Sequence, residues 1–255
     1  MATQCSFIKL NGTIGDVTFI KTGNIYLARQ KSSLTAERIA TDNAFERTRE
    51  NNAEFGRAGK AGKLLRTAFG HLLYMAKDGS TVSRLVKLMM MVIKSDVYSM
   101  RGWRKIEQGN TGLLQGFSFN RYALLNWVLT ANFVSSINRF EGIFSVNLPM
   151  IYPLSDLISP KEATHFKVVS AGGAINFANN TFKTSYTSSE FISLNQNNAV
   201  SIELMTSIAP DLINPCFLLL GIQFYQEING IPFILKNSVF NALEIINVDS
   251  VNLNK

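Results

Sequence analysis

The sequence predicts an α+β protein: a small amino-terminal β element and a helical hairpin, followed by an antiparallel β-sandwich. Three observations lead there. Short β-rich runs separated by glycine turns fill the first stretch of chain. Apolar residues then recur at three- and four-residue intervals between residues 42 and 97, the spacing of helices with one buried face. Beyond residue 117 the apolar runs become short and are divided by turn signals, as strands are. The change of period is the boundary: a basic strand-plus-helix region over 1–116 and a β-sandwich domain over 117–255.

The amino-terminal strands are expected at Phe7–Leu10, Val17–Lys21 and Ile25–Arg29, with turns at Asn11-Gly12, Gly15-Asp16 and Gly23-Asn24. So few short strands bury little by themselves, so they must lie on another element or extend another sheet. Ser33 or Thr35 caps a short helix in LTAERIAT, and Asp42 or Asn43 caps the long helical segment after it. From Asp42 to Lys77 the pattern predicts one long helix or two nearly in line, with Phe55, Ala58, Gly62, Leu65, Phe69, Leu72 and Ala76 as its apolar seam. Arg57, Lys60, Lys63 and Arg66 fall on the opposite half of the wheel, and Gly56, Gly59 and Gly62 thin the helix. Glu46, Glu50 and Glu54 sit at spacings that pair with neighbouring arginines.

Ser80 is the expected cap of the next helix, whose Val82, Leu85, Val86, Met89, Met90, Val92, Ile93 and Val97 give a wide apolar face for packing against that seam. The three consecutive methionines read as adaptable core filling, and Trp103 as a residue closing a core. In the β region, strands are expected at Phe117–Phe119, Leu125–Val134, Ile143–Leu148, His165–Ser170, Ala174–Phe177, Thr181–Tyr186, Phe191–Leu194, Val200–Ile208, Phe217–Ile228, Ile231–Leu235 and Ala242–Val248. Asn229-Gly230, between two β-rich runs, is the strongest hairpin signal.

Composition narrows the function. Of 255 residues 46% are hydrophobic and only 17% charged, below the roughly 25% usual in soluble domains. A surface so poor in charge is suited to being covered by partners or by copies of itself. The net charge of +7 is uneven: residues 1–120 hold eighteen Lys and Arg against nine Asp and Glu, and residues 121–255 hold seven against nine. A basic half beside a nearly neutral one points to a polyanion or to an acidic patch on another subunit.

Catalytic chemistry finds no local signal. Cys5 and Cys216 are remote from each other and His71 and His165 stand singly, which removes a disulfide scaffold and a Cys/His metal site; no metal or other cofactor is expected. GRAGKAGK at 56–63 imitates a phosphate-binding loop, but its spacing is wrong, no hydroxyl follows the lysine, and no buried strand precedes it. Neither histidine lies near a nucleophile elbow. The expectation is therefore a protein that is not an enzyme. The start of the chain lacks a basic region followed by an apolar run, and Leu85–Ile93 is too short to span a bilayer. A cytoplasmic location is the default, with release or specialised export as the other routes.

The functional expectation is a structural, self-assembling protein whose partners are copies of itself or a scaffold, forming a ring, tube or filament. Its contact surface is the basic helix: Arg47, Arg49, Arg57, Lys60, Lys63 and Arg66. The alternative is nucleic acid, bound without sequence specificity by the same cations, with Lys77, Arg84, Arg101, Arg104 and Lys105 nearby in sequence. Against it, Phe45, Phe55 and Phe69 lie on the seam and do not interleave with those charges. The runs IKLNGTIGDVTFIKTGNIYLARQK, FERTRENNAEFGRAGKAGKLLR, ATHFKVVSAGGAINF and GIQFYQEINGIPFILKNSVFNAL together resemble a family of uncharacterised proteins from Bacteroidota-type bacteria. The resemblance implies a shared architecture over nearly the whole chain and carries over no activity, ligand or site residue.

Overall fold

Two tight turns make the first sheet, and Gly23, at φ 60°, supplies the left-handed backbone that one of them needs. The computed structural model describes residues 1–31, 34–210, 212–235 and 239–250, and it is α+β. Residues 1–51 form one compact unit and residues 52–255 another.

In the first unit β1 (Ala2–Thr3), β2 (Gly12–Ile14), β3 (Val17–Thr22) and β4 (Ile25–Gln30) form an antiparallel sheet in the order β1-β4-β3-β2. The register Ile14↔Val17, Phe19↔Ala28, Lys21↔Tyr26 places Ile14, Val17, Phe19 and Tyr26 on one face, leaving Ile20, Ile25 and Leu27 for the other. The strand expected at Phe7–Leu10 is irregular. There the Gln4 side chain accepts from the Leu10 amide at 2.8 Å and donates to its carbonyl at 3.2 Å, so a side chain stands where a strand neighbour would. Gly12 likewise lies in β2 and not in a turn. α1 (Ala36–Thr41) is capped by Thr35, which accepts from the Arg38 amide; Ser33, the other expected cap, lies outside the described residues. Asp42 caps the 3-10 turn Asn43–Phe45 by accepting from the Ala44 amide at 2.9 Å.

The long helical segment is two helices, α2 (Glu46–Ala68) and α3 (Gly70–Ala76), broken at Phe69. Six of the seven residues of the expected seam, Ala58, Gly62, Leu65, Phe69, Leu72 and Ala76, are buried, with Glu54, Ala61 and Leu64 beside them on α2; Phe55, 61% exposed, is the exception. Its neighbour Glu54 is buried instead, and the carboxyl oxygen accepts from the Gly102 amide at 2.8 Å. α4 (Thr81–Lys94) buries Leu85, Met89, Val92 and Ile93; a Cβ on Gly62 of α2 would stand 3.6 Å from Leu85 Cγ. Val82 and Val97, expected on its buried face, are exposed. Ser80 precedes α4 without capping it through its hydroxyl.

The remaining elements are α5 (Leu125–Val128), β5 (Val134–Asn138), β6 (Ile143–Ile151), α6 (Pro153–Asp156), β7 (His165–Asn176), β8 (Thr181–Ser188), β9 (Ile192–Ser193), β10 (Val200–Ser207), β11 (Cys216–Ile228), β12 (Ile231–Ile234) and β13 (Ala242–Asp249). Leu125–Val134 is thus a helical turn and a loop where a strand was expected, and Phe117–Phe119 contributes only an isolated bridge, Ser118 to Glu244. The two strands expected across 165–177 are one, running through Gly172 and Gly173. Asn229 and Gly230 both adopt positive φ, joining β11 to β12 as a two-residue hairpin.

β10-β6-β5 form one antiparallel sheet. β11 and β7 pair at the centre of the other, with β12 and β13 along the far side of β11, and β8 and β9 along β7. Phe144, Val146, Leu148, Ile202 and Leu204 of the smaller sheet pack with Phe166, Val168, Leu218, Leu220, Ile222 and Phe224 of the larger. The opposite face of the larger sheet carries Val169, Ala171, Ile175, Phe217 and Leu219, which pack with Leu65, Phe69, Leu72, Leu85, Met89 and Ile93 of the helices. The central strands are therefore buried on both sides, which is why CFLLLGIQF reads as an unbroken apolar run. The change of period near 117 marks where helices give way to strands; the helical layer from residue 52 shares a core with those strands.

Close approach sets the cost of change at the centre of β7. A Cβ on Gly172 would stand 2.2 Å from Cγ and 2.6 Å from Cβ of Phe144, which rotating the ring cannot relieve. Gly172→Ala is expected to lower unfolding free energy by about 1–3 kcal/mol, the cost of overpacking a filled core, measured by urea denaturation. Asp78 joins the α4 entry to the segment before β5. Burial opposes its charge, but the Arg121 amide, the Ser80 hydroxyl and amide and the Arg84 guanidinium (2.7 Å) outweigh that and hold its carboxyl well below the usual range. A carboxyl depressed on folding stabilises the fold above its unfolded pKa of about 3.9, and that stabilisation is lost as pH falls towards the folded value. Asp78→Asn should therefore be less stable than the parent at pH 7, with the difference shrinking below about pH 4 in a series of thermal melts.

Candidate functional site

The six cations of the expected contact face do not act as one set. Arg47 is exposed and pairs with Glu50 at 3.0 Å, while Arg49 donates to the carbonyls of Ile39 (2.9 Å) and Asp42 (2.8 Å) and so fastens the end of α1. Arg57 is half-buried and donates to the Gly102 carbonyl; its Nε, like that of half-buried Arg66, is buried without a hydrogen-bond partner. Lys60 and Lys63 are exposed. They share their face of α2 with Gly56 and Gly59, around whose missing Cβ atoms nothing lies within 4 Å.

Arg57, Lys60 and Ala61 form one wall of a cleft of about 480 Å³. Lys105, Ile106, Glu107 and Gln108 form the second wall, and Phe177, Ala178 and Asn180 of the β7–β8 turn the third. The fold thus brings Lys105 beside two cations that precede it by more than forty residues. The loop that carries it is fastened from beneath. Glu54 accepts from the N–H of Gly102 and Arg57 donates to its C=O, and Asp96 accepts from the amides of Tyr98 (2.9 Å), Ser99 (3.0 Å) and Lys105 (3.0 Å). Burial opposes the charge on Asp96, but these donors hold its carboxyl below the usual range. Sequence reasoning assigned Glu54 to surface pairing and passed over Asp96. The one available signal was an acid two and three residues before potential turn donors in SDVYS.

This fastened loop presents apolar side chains to solvent. Val97, Tyr98 and Met100 are exposed, and Trp103, expected to close a core, is 74% exposed. The amino-terminal sheet presents more: Phe7, Ile8, Ile14, Val17 and Ile25 are exposed, and no described residue from 1 to 51 is buried.

The histidines occupy structural places. His71 lies against the Tyr186 ring, with centroids 4.7 Å apart. His165 Nδ1 is 2.9 Å from Thr164 Oγ1 and its Nε2 is 3.5 Å from Glu227. That chain superficially imitates a catalytic relay, but the Thr164 hydroxyl also accepts from the Glu227 amide at 2.8 Å, and the group ties the start of β7 to β11. Cys216 is buried, and burial chiefly, with Asp249 adding to it and Arg139 opposing, pushes its thiol up to about 11; Cys5 is exposed. Among the described residues no group of three or more His, Cys, Asp or Glu is placed to hold a metal ion, and no helix is long and apolar enough to cross a membrane.

Comparison with protein-family models, with curated proteins and with solved structures finds no match.

Removing the Glu54 carboxyl leaves the buried Gly102 donor unpaired. Glu54→Ala is expected to cost about 1–3 kcal/mol, and Glu54→Gln, which keeps an acceptor, distinctly less; urea denaturation of the two variants makes the comparison.

Proposed function

We propose that this protein is a structural, self-assembling subunit that builds a homo-oligomer or polymer, a ring, tube or filament, through its amino-terminal sheet and the lysine face of α2. The observation that carries the proposal is a four-stranded sheet with apolar residues on both faces and no buried residue among those described in its unit. Ordering a residue costs about 1–2 kcal/mol of backbone entropy, which burial of apolar surface normally offsets. This sheet lacks that compensation, and copies of the same chain would provide it by covering a face or extending the β1 or β2 edge.

Two features of the second unit support the reading. Gly56 and Gly59 each cost a helix about 1 kcal/mol relative to alanine, and among the described residues nothing would lie within 4 Å of a Cβ at either, as suits a surface approached closely by another backbone. The exposed Trp103, Tyr98 and Met100 are residue types enriched at the centres of protein interfaces, here held on a fastened loop. The convergence of Lys105 with Arg57 and Lys60 favours the second reading, non-specific nucleic-acid binding, but it explains none of the exposed apolar surface.

Mass photometry and negative-stain microscopy on nuclease-treated protein, over a salt series, test the proposal. Defined assemblies are expected, lost in Ile14→Glu and in the double reversal Lys60→Glu with Lys63→Glu while the thermal transition stays nearly unchanged. A monomer at every salt concentration overturns the proposal. Assembly that survives both variants shows that neither surface makes the contact.

A further inference from the structure

GRAGKAGK fails as a phosphate-binding loop because the segment is continuous helix, with its backbone N–H groups committed to α2. Its side chains are a different matter. Arg57 and Lys60 line one wall of the 480 Å³ cleft and Lys105 lines another, and only Glu107 among the lining residues is acidic. The cleft lies entirely within the second unit.

Several of the lining residues are held by hydrogen bonds. Arg57 is held by the Gly102 carbonyl and keeps an unpartnered, buried Nε. The Lys105 backbone is fixed by Asp96 at 3.0 Å. Gln108 accepts from the Ser99 hydroxyl through its amide oxygen at 2.7 Å, which leaves its NH₂ as the free end. Asn180 adds an amide from the turn, where its φ of 54° is the left-handed conformation that asparagine tolerates. Ala61, Ile106 and Phe177 complete the lining with apolar surface.

We propose that this cleft binds a small organic phosphate, with the phosphoryl group against Arg57, Lys60 and Lys105 and the organic part over Phe177 and Ile106. An inorganic ion would use the cations but not the apolar wall. The size falls within the roughly 300–1,000 Å³ of small-molecule sites, which suits a phosphate ester of mononucleotide dimensions better than a polymer. Glu107 stands among the donors as an acceptor for a ligand hydroxyl or amino group, which a bare anion site has no use for.

The cleft shares Lys60 with the proposed contact face, so the proposal is tested through Lys105, which lies outside that face. Isothermal titration of the full chain at low salt, with adenosine monophosphate, glucose 6-phosphate, inorganic phosphate and adenosine as probes, reads it directly. At least one ester should bind about tenfold more tightly than inorganic phosphate or adenosine, a difference of about 1.4 kcal/mol. Lys105→Glu should lose that binding, Glu107→Gln should weaken the ester more than inorganic phosphate, and Arg47→Ala should bind as the parent does. Lys105 is exposed, and an unchanged thermal melt shows that the variant is folded. The inference is overturned if no ester binds with a Kd below about 1 mM, if inorganic phosphate matches the esters, or if Lys105→Glu binds normally. Affinity that rises only with oligonucleotide length also overturns it, in favour of nucleic acid.

Discussion

The second unit depends on β7 and β11 being covered on both faces at once. A strand that receives helices on one side and a second sheet on the other has no solvent face on which to place bulk. At Gly172 the side of β7 facing the smaller sheet leaves room for Phe144 and nothing else; at Gly173 a Cβ would meet Thr184 at 2.5 Å and Phe69 at 3.3 Å. The consecutive glycines are two halves of one solution, each admitting an aromatic ring from a different layer. The positions of the helices, the loop that follows α4 and the cleft above the β7–β8 turn all follow from that central pair.

Charge is sorted by the same architecture. Glu54, Asp78 and Asp96 are all buried and spend their oxygens mainly on backbone amides. Arg84 is drawn in with them through its ion pair to Asp78, and Arg57 through the Gly102 carbonyl beside Glu54. Three of the nine acids of the basic half are thus withdrawn from its surface, while Asp16, Glu37 and Glu46 remain exposed there. An enclosed carboxyl surrounded by donors serves here as a joint between chain segments. The lysines, which need no such enclosure, are left where a partner or ligand can reach them.

Much of the fold was legible where one physical signal dominated. Asn229-Gly230 requires positive φ at both positions and gave its hairpin; β8, β10, β11 and β13 fell close to their expected bounds. Errors arose where a distant contact overrode local pattern. Phe55 belongs to the apolar seam by spacing, but it is exposed while its neighbour Glu54 is buried on the Gly102 amide. Gly172-Gly173 looked like a break between strands because a sequence does not show that two layers meet there. Trp103 looked like a core residue because its hydrophobicity is local, whereas the hydrogen bonds that hold its loop outward come from α2 and from Asp96. Of the contact residues, the exposed Lys60 and Lys63 were visible from the helical wheel. The internal duty of Arg49 and the arrival of Lys105 were not, since both depend on tertiary approach.

The two cysteines divide the molecule chemically. Cys216 lies wholly inside the core between the sheets, its thiol strongly resistant to ionisation, while Cys5 stands exposed in the unit whose sheet has no cover. Thiolate is the reactive form of cysteine, so an alkylating reagent meets one available sulfur and one that is shielded. The unmodified chain therefore carries a single-site label placed on the sheet, and its rate of alkylation would respond to whatever comes to lie over that surface.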